Sequence, residues 1–459
     1  MASAPLPAPR PSLPRVLIIG GGFAGLAAAR ALAKSPVAVT LFDRRNHHVF
    51  QPLLYQVATA ALSPADIAAP IRHILRRQRN CHVVLAEITS VDLERKLVHF
   101  VQGDGDATAQ FDWLILAAGA THSYFGKPEW ERLAPGLKTL EDATEIRKRI
   151  LLAFENAEYE TSPQRRRAAL TFAIVGGGPT GVELAGAISE IAAKTIPSDF
   201  RNIDTKTTRV VLFEGGDRLL PAFPPQLSER ARRDLVSMGV EVRLNARVTD
   251  INVDGLYLGA EFLPVRNVLW AAGVMASPLG ASLGPGVPTD RAGRVLVGPD
   301  LSVPGHPRVF VTGDLAHAVC PGQSEPVAGV AQGGMQMGAY AGRVIASEVG
   351  TSAHPATRKP FVYKDKGIMA TIGRSRAVGV VGGFKISGFP AWLFWGGLHV
   401  MFLVNYRSRI IVALSWMWNW LLFSRDARLI TGPARLDISG GMGVAPAPSV
   451  ADPHVHDAI

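Results

Sequence analysis

Two glycine-rich turns of the same form lie far apart in the chain, each between an apolar, strand-like segment and an alanine-rich, helix-like one. The spacing G-x-G-x-x-G is typical of a tight turn at which the backbone approaches a ligand closely and the helix packs closely on the strand. A single match is weak, because glycines also serve as ordinary turn formers. Two matches in the same context predict two βαβ units. The glycines are Gly20, Gly22 and Gly25 in the first turn and Gly176, Gly178 and Gly181 in the second.

An acidic residue ends the strand that follows each turn, Asp43 in the first case and Glu214 in the second. In a dinucleotide-binding unit this carboxylate accepts ribose hydroxyl groups, and the diphosphate lies at the helix N-terminus. Glu214 lies farther from its glycines than the usual ~20 residues, so we expect a longer helix or an insertion at about residues 190–207. Its charge favours NADH because it would repel the 2′-phosphate of NADPH. Arg218 nearby leaves NADPH open.

The order of motifs repeats along the chain, which indicates an internal duplication. A buried strand with a glycine turn at residues 112–120 (DWLILAAGA) has its counterpart at 267–274 (NVLWAAGV). A charged, amphipathic segment at 141–160 predicts a helix that leads from the first half to the second. The residues that follow it, TSPQRRR at 161–167, are expected to form a loop.

The chain has only two cysteines, Cys81 and Cys320, and they are widely separated. This excludes a Cys-x-x-Cys redox pair, a cysteine metal cluster and a disulfide framework, and it indicates a reducing compartment. We expect both side chains to pack as small apolar groups.

The C-terminal part of the chain is both basic and aromatic. Residues 360–435 carry ten Lys or Arg and two Asp, a net +8 of the chain's +10, and five of the eight tryptophans lie between Trp392 and Trp420. An uncharged stretch at 386–406 has roughly the ~20 residues that a membrane span needs, but proline, glycine, histidine and asparagine interrupt it. This composition favours helices lying in the interface of an anionic membrane over nucleic-acid binding. A buried dimer face and a solvated basic face are the alternatives.

Several motifs in a fixed order resemble those of type II NADH dehydrogenase, a single-subunit, non-proton-pumping NADH:quinone oxidoreductase of the two-dinucleotide-binding flavoprotein group. They are HHVFQPLLYQVATAAL, AAGATHSYFG, GGGPTGVELAG, AAGV, TGDLA, AQGGMQMG, KDKGIMATIGRSRAV and the aromatic segment from GFPAWLFWGG to RDARLI. The resemblance covers residue 16 to about residue 431. It implies FAD at the first glycine turn, NADH at the second, and ubiquinone or menaquinone as acceptor. It also implies a homodimer on the cytoplasmic face of the bacterial inner membrane, peripheral or monotopic.

The fold class expected on these grounds is α/β, with two Rossmann-like dinucleotide-binding domains and a C-terminal membrane-associating region. No metal site and no nucleic-acid partner are expected. The expected domains are a discontinuous FAD domain at 14–125 and 291–350, an NADH domain at 126–290, a membrane-anchoring and dimerisation domain at 351–435, and disordered tails at 1–13 and 436–459.

The resemblance also implies roles for individual residues. Ala331 and Gln332 match a pair beside the flavin ring and the quinone, Gln336 is the second glutamine of that motif, and Lys366 matches a lysine near the quinone entry. Gly333, Gly334 and Met335 depart from the family's usual residues between the glutamines, which changes the expected shape of the pocket. Further cofactor contacts are expected from Phe23, Ala24, Arg44, Gln51, Ile88, Ala118, Gly119, Asp314, Pro179, Thr180, Glu183, Ala272 and Gly273.

Three residues are predicted to act in the chemistry. Quinone reduction requires two protons, of which the hydride supplies one equivalent, so Glu183 is expected to relay the other or to hold the nicotinamide. Its place near a helix N-terminus predicts an ionised carboxylate. Gln332 is expected to donate to a quinone carbonyl and Lys366 to stabilise negative charge. The alternatives are a carboxylate that only stabilises its helix and a lysine that is only a surface residue.

Three other functions fit parts of the sequence. Sulfide:quinone and disulfide reductases use cysteine pairs that this chain lacks. A reductase of a soluble acceptor leaves the aromatic C-terminal segment unexplained. An NADH-binding redox sensor would differ from an enzyme in its slow turnover.

Overall fold

The fold was obtained as a computed structural model. The expected tails lie outside the residues it describes, apart from Leu13, and so does the expected boundary at residue 351. The structure describes residues 13–349, 358–422, 425 and 427–432.

This part of the chain is an α/β structure in which short strands dominate the first three quarters and helices the end. The strands are β1 (Arg15–Ile19), β2 (Ala38–Asp43), β3 (His47–Val49), β4 (Ala68–Pro70), β5 (Cys81–Leu85), β6 (Glu87–Asp92), β7 (Leu97–Gln102), β8 (Gly105–Gln110), β9 (Trp113–Leu116), β10 (Ala120–His122), β11 (Thr171–Val175), β12 (Arg209–Phe213), β13 (Val240–Arg243), β14 (Asp250–Ile251), β15 (Gly255–Leu258), β16 (Glu261–Pro264), β17 (Asn267–Trp270), β18 (Val274–Ala276), β19 (Val295–Leu296), β20 (Ser302–Val303), β21 (His306–Val311), β22 (Ala316–His317), β23 (Ile368–Gly373), β24 (Arg376–Val381) and β25 (Phe384–Ser387). The helices are α1 (Phe23–Ala31), α2 (Leu54–Ala58), α3 (Pro64–Ile67), α4 (Ile71–Leu75), α5 (Trp130–Leu133), α6 (Leu140–Tyr159), α7 (Pro163–Ala169), α8 (Pro179–Glu190), α9 (Pro225–Ser237), α10 (Ala331–Glu348), α11 (Gly388–Phe402) and α12 (Tyr406–Leu422).

The two largest sheets share a common order of four strands, to which the first adds two more. The first has the order β20-β21-β9-β1-β2-β5 and the second β13-β12-β11-β17. In each, the strand before the glycine turn pairs in parallel with the strand that ends in the acid and with the strand that ends in the Ala-Gly turn. The strands before the turns are almost fully buried, as their apolar runs predict. The expected duplication is therefore confirmed at the level of strand order.

A small antiparallel sheet precedes the last of these strands in each half. It is β6-β7-β8 in the first and β14-β15-β16 in the second, and each runs directly into its buried strand, β9 or β17. The duplication thus includes the connection as well as the sheet.

The insertion expected before Glu214 is present. Helix α8 ends at Glu190 and passes into a π-helical turn at Ile191–Thr195. A 3₁₀ turn at Thr205–Thr207 then leads into β12.

The loop expected at residues 161–167 is wrong, because Pro163–Ala169 forms helix α7. The Ser162 side chain accepts a hydrogen bond from the Arg165 backbone N–H, and Pro163 occupies the start of the helix. A serine cap followed by proline is a helix start signal, and the sequence interpretation missed it.

The C-terminal residues form the antiparallel sheet β23-β24-β25 and the helices α11 and α12. Trp395, Leu403 and Val412 face inward and join the hydrophobic core that contains α2, α6 and α8. No helix in the described part of the chain combines the length and apolar character needed to cross a bilayer.

Candidate active site

A cavity of about 600 Å³ follows the first glycine turn. We call it the large cavity. Its size lies in the range of small-molecule sites. Twelve of the predicted cofactor residues line it: Gly20, Gly22, Phe23, Ala24, Asp43, Arg44, Gln51, Ile88, Ala118, Gly119, Asp314 and Ala331.

The first glycine turn is possible only with glycines at its tight positions. Gly20 has φ +103°, and a Cβ there would lie 2.3 Å from the Ala117 carbonyl oxygen. A Cβ on Gly25 would lie 1.8 Å from the carbonyl oxygen of Gly20. Gly22 caps α1 without any side-chain hydrogen bond, and the first turn of the helix holds no acid. The helix N–H groups are therefore available to a phosphate.

Asp43 is fixed by the backbone of the same turn. Its carboxylate accepts hydrogen bonds from the N–H of Gly21 at 2.6 Å and of Arg45 at 2.7 Å. A Cβ on Gly21 would lie 2.4 Å from Ile71 Cδ1. The sequence interpretation missed this middle glycine, although the run of three glycines was a visible signal.

The far end of the large cavity meets the N-terminus of α10. Gly329, Val330 and Ala331 line it there together with Asp314, and Val330 caps the helix without a side-chain hydrogen bond. A Cβ on Gly334, one of the departures from the family pattern, would lie 3.7 Å from Gly313 Cα, an ordinary van der Waals distance. Helix α10 therefore packs on the turn that carries Asp314 at a distance that an alanine at this position would also allow.

His48 is a further residue of the large cavity that the sequence interpretation missed. Its ring packs edge-on against Phe23, with centroids 4.9 Å apart, and Nδ1 lies 3.1 Å from the Gly21 carbonyl oxygen. Burial lowers the pKa of His48 to about 4. The imidazole is therefore neutral, and its hydrogen bond to the Gly21 carbonyl oxygen stabilises the glycine turn.

The second glycine turn repeats the first. Gly176 has φ +111°, and a Cβ on Gly181 would lie 1.9 Å from the Gly176 carbonyl oxygen. Glu214 accepts hydrogen bonds from the N–H of Gly177 and of Gly216, both at 2.7 Å. Helix α8 also begins without a side-chain cap and has Pro179 in its first turn.

A second space, which we call the middle cavity, has a volume of about 140 Å³. The predicted residues Gln51, Thr180, Glu183 and Gly273 line it. Gly273 has φ +79°, and a Cβ there would lie 2.8 Å from Phe125 Cζ. Gln51 and Lys138 line both the large and the middle cavity, so the two spaces adjoin.

The predicted quinone residues cluster around the segment that leads into β23. The Gln332 side-chain amide donates to the Gly367 carbonyl oxygen at 2.9 Å, and its own oxygen accepts from the Lys366 N–H at 3.2 Å. Gln336 makes the same two-sided bond with the backbone of Lys364. The two glutamines thus fasten residues 364–367 to α10. The Lys366 side chain is exposed.

A third space of about 120 Å³ lies beneath α11 and α12, and we call it the aromatic cavity. Trp392, Trp395, Trp416 and Trp420 line it from the C-terminal helices. Trp395 stacks on Trp416 with ring centroids 5.3 Å apart. The opposite wall comes from the two halves that carry the glycine turns, through Tyr55, Gln56, Glu183 and Glu190, and from Thr371 on β23. Arg425, which follows α12, also lines the cavity.

Glu183 and Tyr55 line both the middle and the aromatic cavity. Burial raises the pKa of Glu183 to about 8, and a backbone hydrogen bond from Thr371 offsets part of that effect. The expectation that the helix N-terminus keeps this carboxylate ionised is therefore wrong. Glu183 lies one turn into α8, where removal from water outweighs the helix dipole.

Helix α12 is tied to this wall by polar contacts. Arg425, just beyond the helix, pairs with Glu190 at 3.1 Å and donates to the Thr59 carbonyl oxygen at 3.0 Å. Asn419 donates to the Ala61 carbonyl oxygen at 3.2 Å. None of these contacts was expected from the sequence, because each joins residues hundreds of positions apart.

Neither cysteine forms a disulfide. Cys320 is buried and its sulfur accepts from the Tyr363 N–H, and burial raises the pKa of Cys81 to about 12. Both thiols are inert packing groups, as expected.

The family model for pyridine nucleotide-disulphide oxidoreductases matches residues 14–338. Two proteins of Mycobacterium tuberculosis, named type II NADH:quinone oxidoreductase NdhA and Ndh, are 47% and 45% identical to this chain. Each alignment covers 91% of this chain, and 89% and 90% of the respective relatives. The solved structure of NDH2 from Plasmodium falciparum in complex with NADH has the same fold, with a TM-score of 0.82 at 20% identity over 91% of this chain and 100% of that one.

Proposed function

We propose that the three adjoining cavities of this chain bind FAD, the nicotinamide of NADH and a quinone, in that order. The chain belongs to the pyridine nucleotide-disulphide oxidoreductase family and, within it, to the type II NADH:quinone oxidoreductases. The chain is an FAD-dependent, non-proton-pumping NADH:quinone oxidoreductase. When bound, FAD accepts a hydride from NADH and passes two electrons to the quinone.

The observation that carries this order is the sharing of wall residues. Gln51 and Lys138 belong to both the large and the middle cavity. Tyr55 and Glu183 belong to both the middle and the aromatic cavity. The large and the aromatic cavity share no wall residue. Because the carrier must meet both the donor and the acceptor, the flavin ring would extend from the large cavity into the middle one, where it would meet the nicotinamide and face the aromatic cavity.

The residues of the large cavity fit an FAD. The uncapped N-terminus of α1 and the bare surface of Gly22 would hold the diphosphate, and Asp43 would accept ribose hydroxyl groups. Asp314 and the N-terminus of α10 would lie at the ribityl and ring end. The matching groups for NADH are Gly178, Thr180 and Glu214, with Ala272 and Gly273 beside the nicotinamide.

The aromatic cavity suits the ring of a quinone. Its volume of about 120 Å³ is smaller than the ~150 Å³ of an engineered cavity that accepts benzene. A quinone ring would therefore enter with a shift of the lining tryptophans, while its isoprenoid tail stays towards α11 and α12. Glu183 at its inner wall would supply the proton that the hydride does not bring. Gln332, Gln336 and Lys366 line none of the three cavities. The two glutamines would instead hold the segment that leads into β23, whose Thr371 lines the aromatic cavity.

The division into an FAD domain (14–125 and 291–350), an NADH domain (126–290) and a C-terminal domain (351–435) is part of this proposal. Each of the first two contains one of the two large sheets. The third contains the aromatic helices.

We place the C-terminal helices on a membrane, at the cytoplasmic face in a bacterium. Helix α11 is apolar on all sides, yet Leu393 and Met401 are 60% and 71% exposed, and on α12 Leu414 and Trp418 are 54% and 53% exposed. An apolar patch of this kind needs a cover. Lipid is favoured because Arg407 and Arg409 flank the patch and would meet anionic headgroups.

Vesicle flotation tests that placement. Met401→Glu with Leu414→Glu should lose binding to anionic vesicles, while Val253→Glu, at a position 55% exposed on a turn of the second half, should bind like the wild type. Sedimentation of the same variants tests the proposed homodimer. A dimer that dissociates in the double variant, with vesicle binding unchanged, would assign the patch to the dimer.

The enzymatic proposal is tested with purified holoenzyme. We expect NADH oxidation that depends on added ubiquinone or menaquinone analogues and is much slower with NADPH. Flavin reduced rapidly by NADH and reoxidised by a soluble acceptor, with neither quinone effective, would favour a reductase of another acceptor.

A further inference from the structure

A continuous chain of hydrogen bonds runs from α12 into the wall of the aromatic cavity. The Trp416 indole N–H donates to the Gln56 side-chain oxygen at 2.6 Å, and the Gln56 amide donates to the Tyr55 hydroxyl at 3.0 Å. The Tyr55 hydroxyl lies 2.9 Å from the Thr371 hydroxyl. We call Trp416, Gln56, Tyr55 and Thr371 the donor chain. All four line the aromatic cavity.

The first bond sets the direction of the second. An indole N–H can only donate, so the oxygen of Gln56 must face Trp416 and its NH₂ must face Tyr55. The Tyr55 oxygen then accepts from Gln56. In the pair with Thr371 either hydroxyl could donate. The arrangement in which Tyr55 donates is favoured, because a phenol is a stronger donor and a weaker acceptor than an aliphatic hydroxyl.

The Thr371 hydroxyl hydrogen is left at the end of this sequence. The side chain is 3% exposed, it lines the aromatic cavity, and no described residue accepts from it. Tyr55 and Gln56 are 9% and 8% exposed, so water has little access to reorient the chain. A carbonyl oxygen in the cavity would complete it.

We infer that Trp416 and Gln56 are positioning residues that direct Tyr55 and Thr371 to donate towards the quinone in the aromatic cavity. The inference rests on the proposed function and deepens it. Thr371 would hydrogen-bond a quinone oxygen, and that bond would strengthen as negative charge develops there. Helix α12 would thereby act on the chemistry of the cavity as well as on the membrane.

The direct test replaces the last donor. Thr371→Val keeps the shape of the side chain and removes its hydrogen, whereas Thr371→Ser restores the hydroxyl. In calorimetric titrations of the oxidised holoenzyme with a short-chain ubiquinone analogue, we expect Thr371→Val to bind about tenfold more weakly. Thr371→Ser should bind like the wild type. Reduction of the bound flavin by NADH should be unchanged in both variants.

The positioning role is tested by a matched pair of tryptophans. Trp416→Phe and Trp395→Phe each leave an aromatic ring in the same stacked pair, but only the first removes a donor from the chain. We expect Trp416→Phe to weaken binding about three- to tenfold and Trp395→Phe to have less than half that effect. In a Thr371→Val background Trp416→Phe should add nothing, because the chain has already lost its end.

Two results would overturn the inference in distinguishable ways. Thr371→Val and Trp416→Phe that bind the analogue like the wild type, in an enzyme that reduces it with NADH, would remove the donor chain alone. A wild-type holoenzyme that is reduced by NADH but neither binds nor reduces the analogue would remove the proposed function, and the donor chain with it.

Discussion

The two glycine turns are close copies, and their surroundings are not. In both, the first glycine has a positive φ, and a Cβ on the third glycine would lie within 2 Å of the carbonyl oxygen of the first. In both, an acidic side chain also accepts a hydrogen bond from the N–H of the middle glycine. Helix α1, however, packs on helix α10, whereas α8 packs on strand β23. We propose that the local motif determines where a dinucleotide diphosphate binds, and that the neighbouring element determines where the electrons go next. The space beside α1 is the large cavity, whereas α8 lines the aromatic cavity through Glu183, Ala187 and Glu190.

The largest effect is expected at the third glycines, where the two sites should fail differently. In Gly25→Ala the new Cβ would lie 1.8 Å from a backbone oxygen, so we expect purified protein without bound flavin. Absorbance at the flavin bands and circular dichroism measure this. Protein that retains flavin at the wild-type ratio would show that the first turn does not hold it.

Gly181→Ala produces the same clash in the second turn, at 1.9 Å. We expect it to retain flavin and to lose at least a hundredfold in the rate at which NADH reduces that flavin, because only the second site is disturbed. Rapid mixing in the absence of quinone measures the rate, and dithionite reduction is the control for an intact flavin. Loss of flavin from this variant would mean that the two sites are not separable.

Stability should reveal the different neighbours of the two helices. A Cβ on Gly338 would lie 2.0 Å from the Ala24 carbonyl oxygen, and one on Gly186 would lie 1.7 Å from the Ile372 carbonyl oxygen. Each alanine variant is expected to lose about 1–3 kcal/mol in free energy of unfolding. Gly338→Ala should weaken flavin binding, and Gly186→Ala should weaken quinone binding. Calorimetric unfolding measures the stability of each variant, and titration measures its binding of each ligand. Weaker quinone binding in Gly338→Ala and weaker flavin binding in Gly186→Ala would contradict the account.

The pH dependence of stability between about pH 6.5 and 8 should belong to Glu183. Because its carboxyl is neutral in the folded protein up to about pH 8 but ionises near 4.5 when unfolded, the free energy of unfolding should fall across this range by about 2 kcal/mol. Below about pH 6.5 the lowered pKa of His48 opposes this trend, because the imidazole takes up a proton in the unfolded chain but stays neutral in the folded one. Glu183→Gln should abolish the fall above pH 6.5. Quinone reduction should decline above about pH 8 in the wild type and be low and flat in the variant. An unchanged slope in denaturant titrations across this range would assign the titration elsewhere.

The smallest effect is expected from the acid of the second site. Glu214→Gln keeps one hydrogen bond to the turn and removes the charge near the ribose, so the preference for NADH over NADPH should fall about tenfold, equivalent to ~1.4 kcal/mol. Steady-state rates with the two nucleotides measure it. The comparison variant Asp43→Asn should leave that preference unchanged and act on flavin binding instead.

The parts of this structure that could be predicted are those whose signal lies within a short stretch of sequence. The strand, glycine turn, helix and acid of each half follow from local patterns, and so do the apolar helices at the end. Glu183 was placed at the site, but its protonation was not, because burial depends on Thr371 and the C-terminal helices. The donor chain joins residues more than 300 positions apart, and no periodicity or spacing in the sequence predicts contacts of that kind.

The most direct test of the account is the place at which a quinone binds. A photoreactive short-chain quinone analogue, cross-linked to the oxidised holoenzyme and mapped by peptide mass spectrometry, should label residues 55–61, 371–374 or the tryptophans of α11 and α12, and excess unlabelled quinone should prevent it. Labelling confined to residues outside the aromatic cavity, such as those near Gln336, would contradict the proposed order of the three cavities.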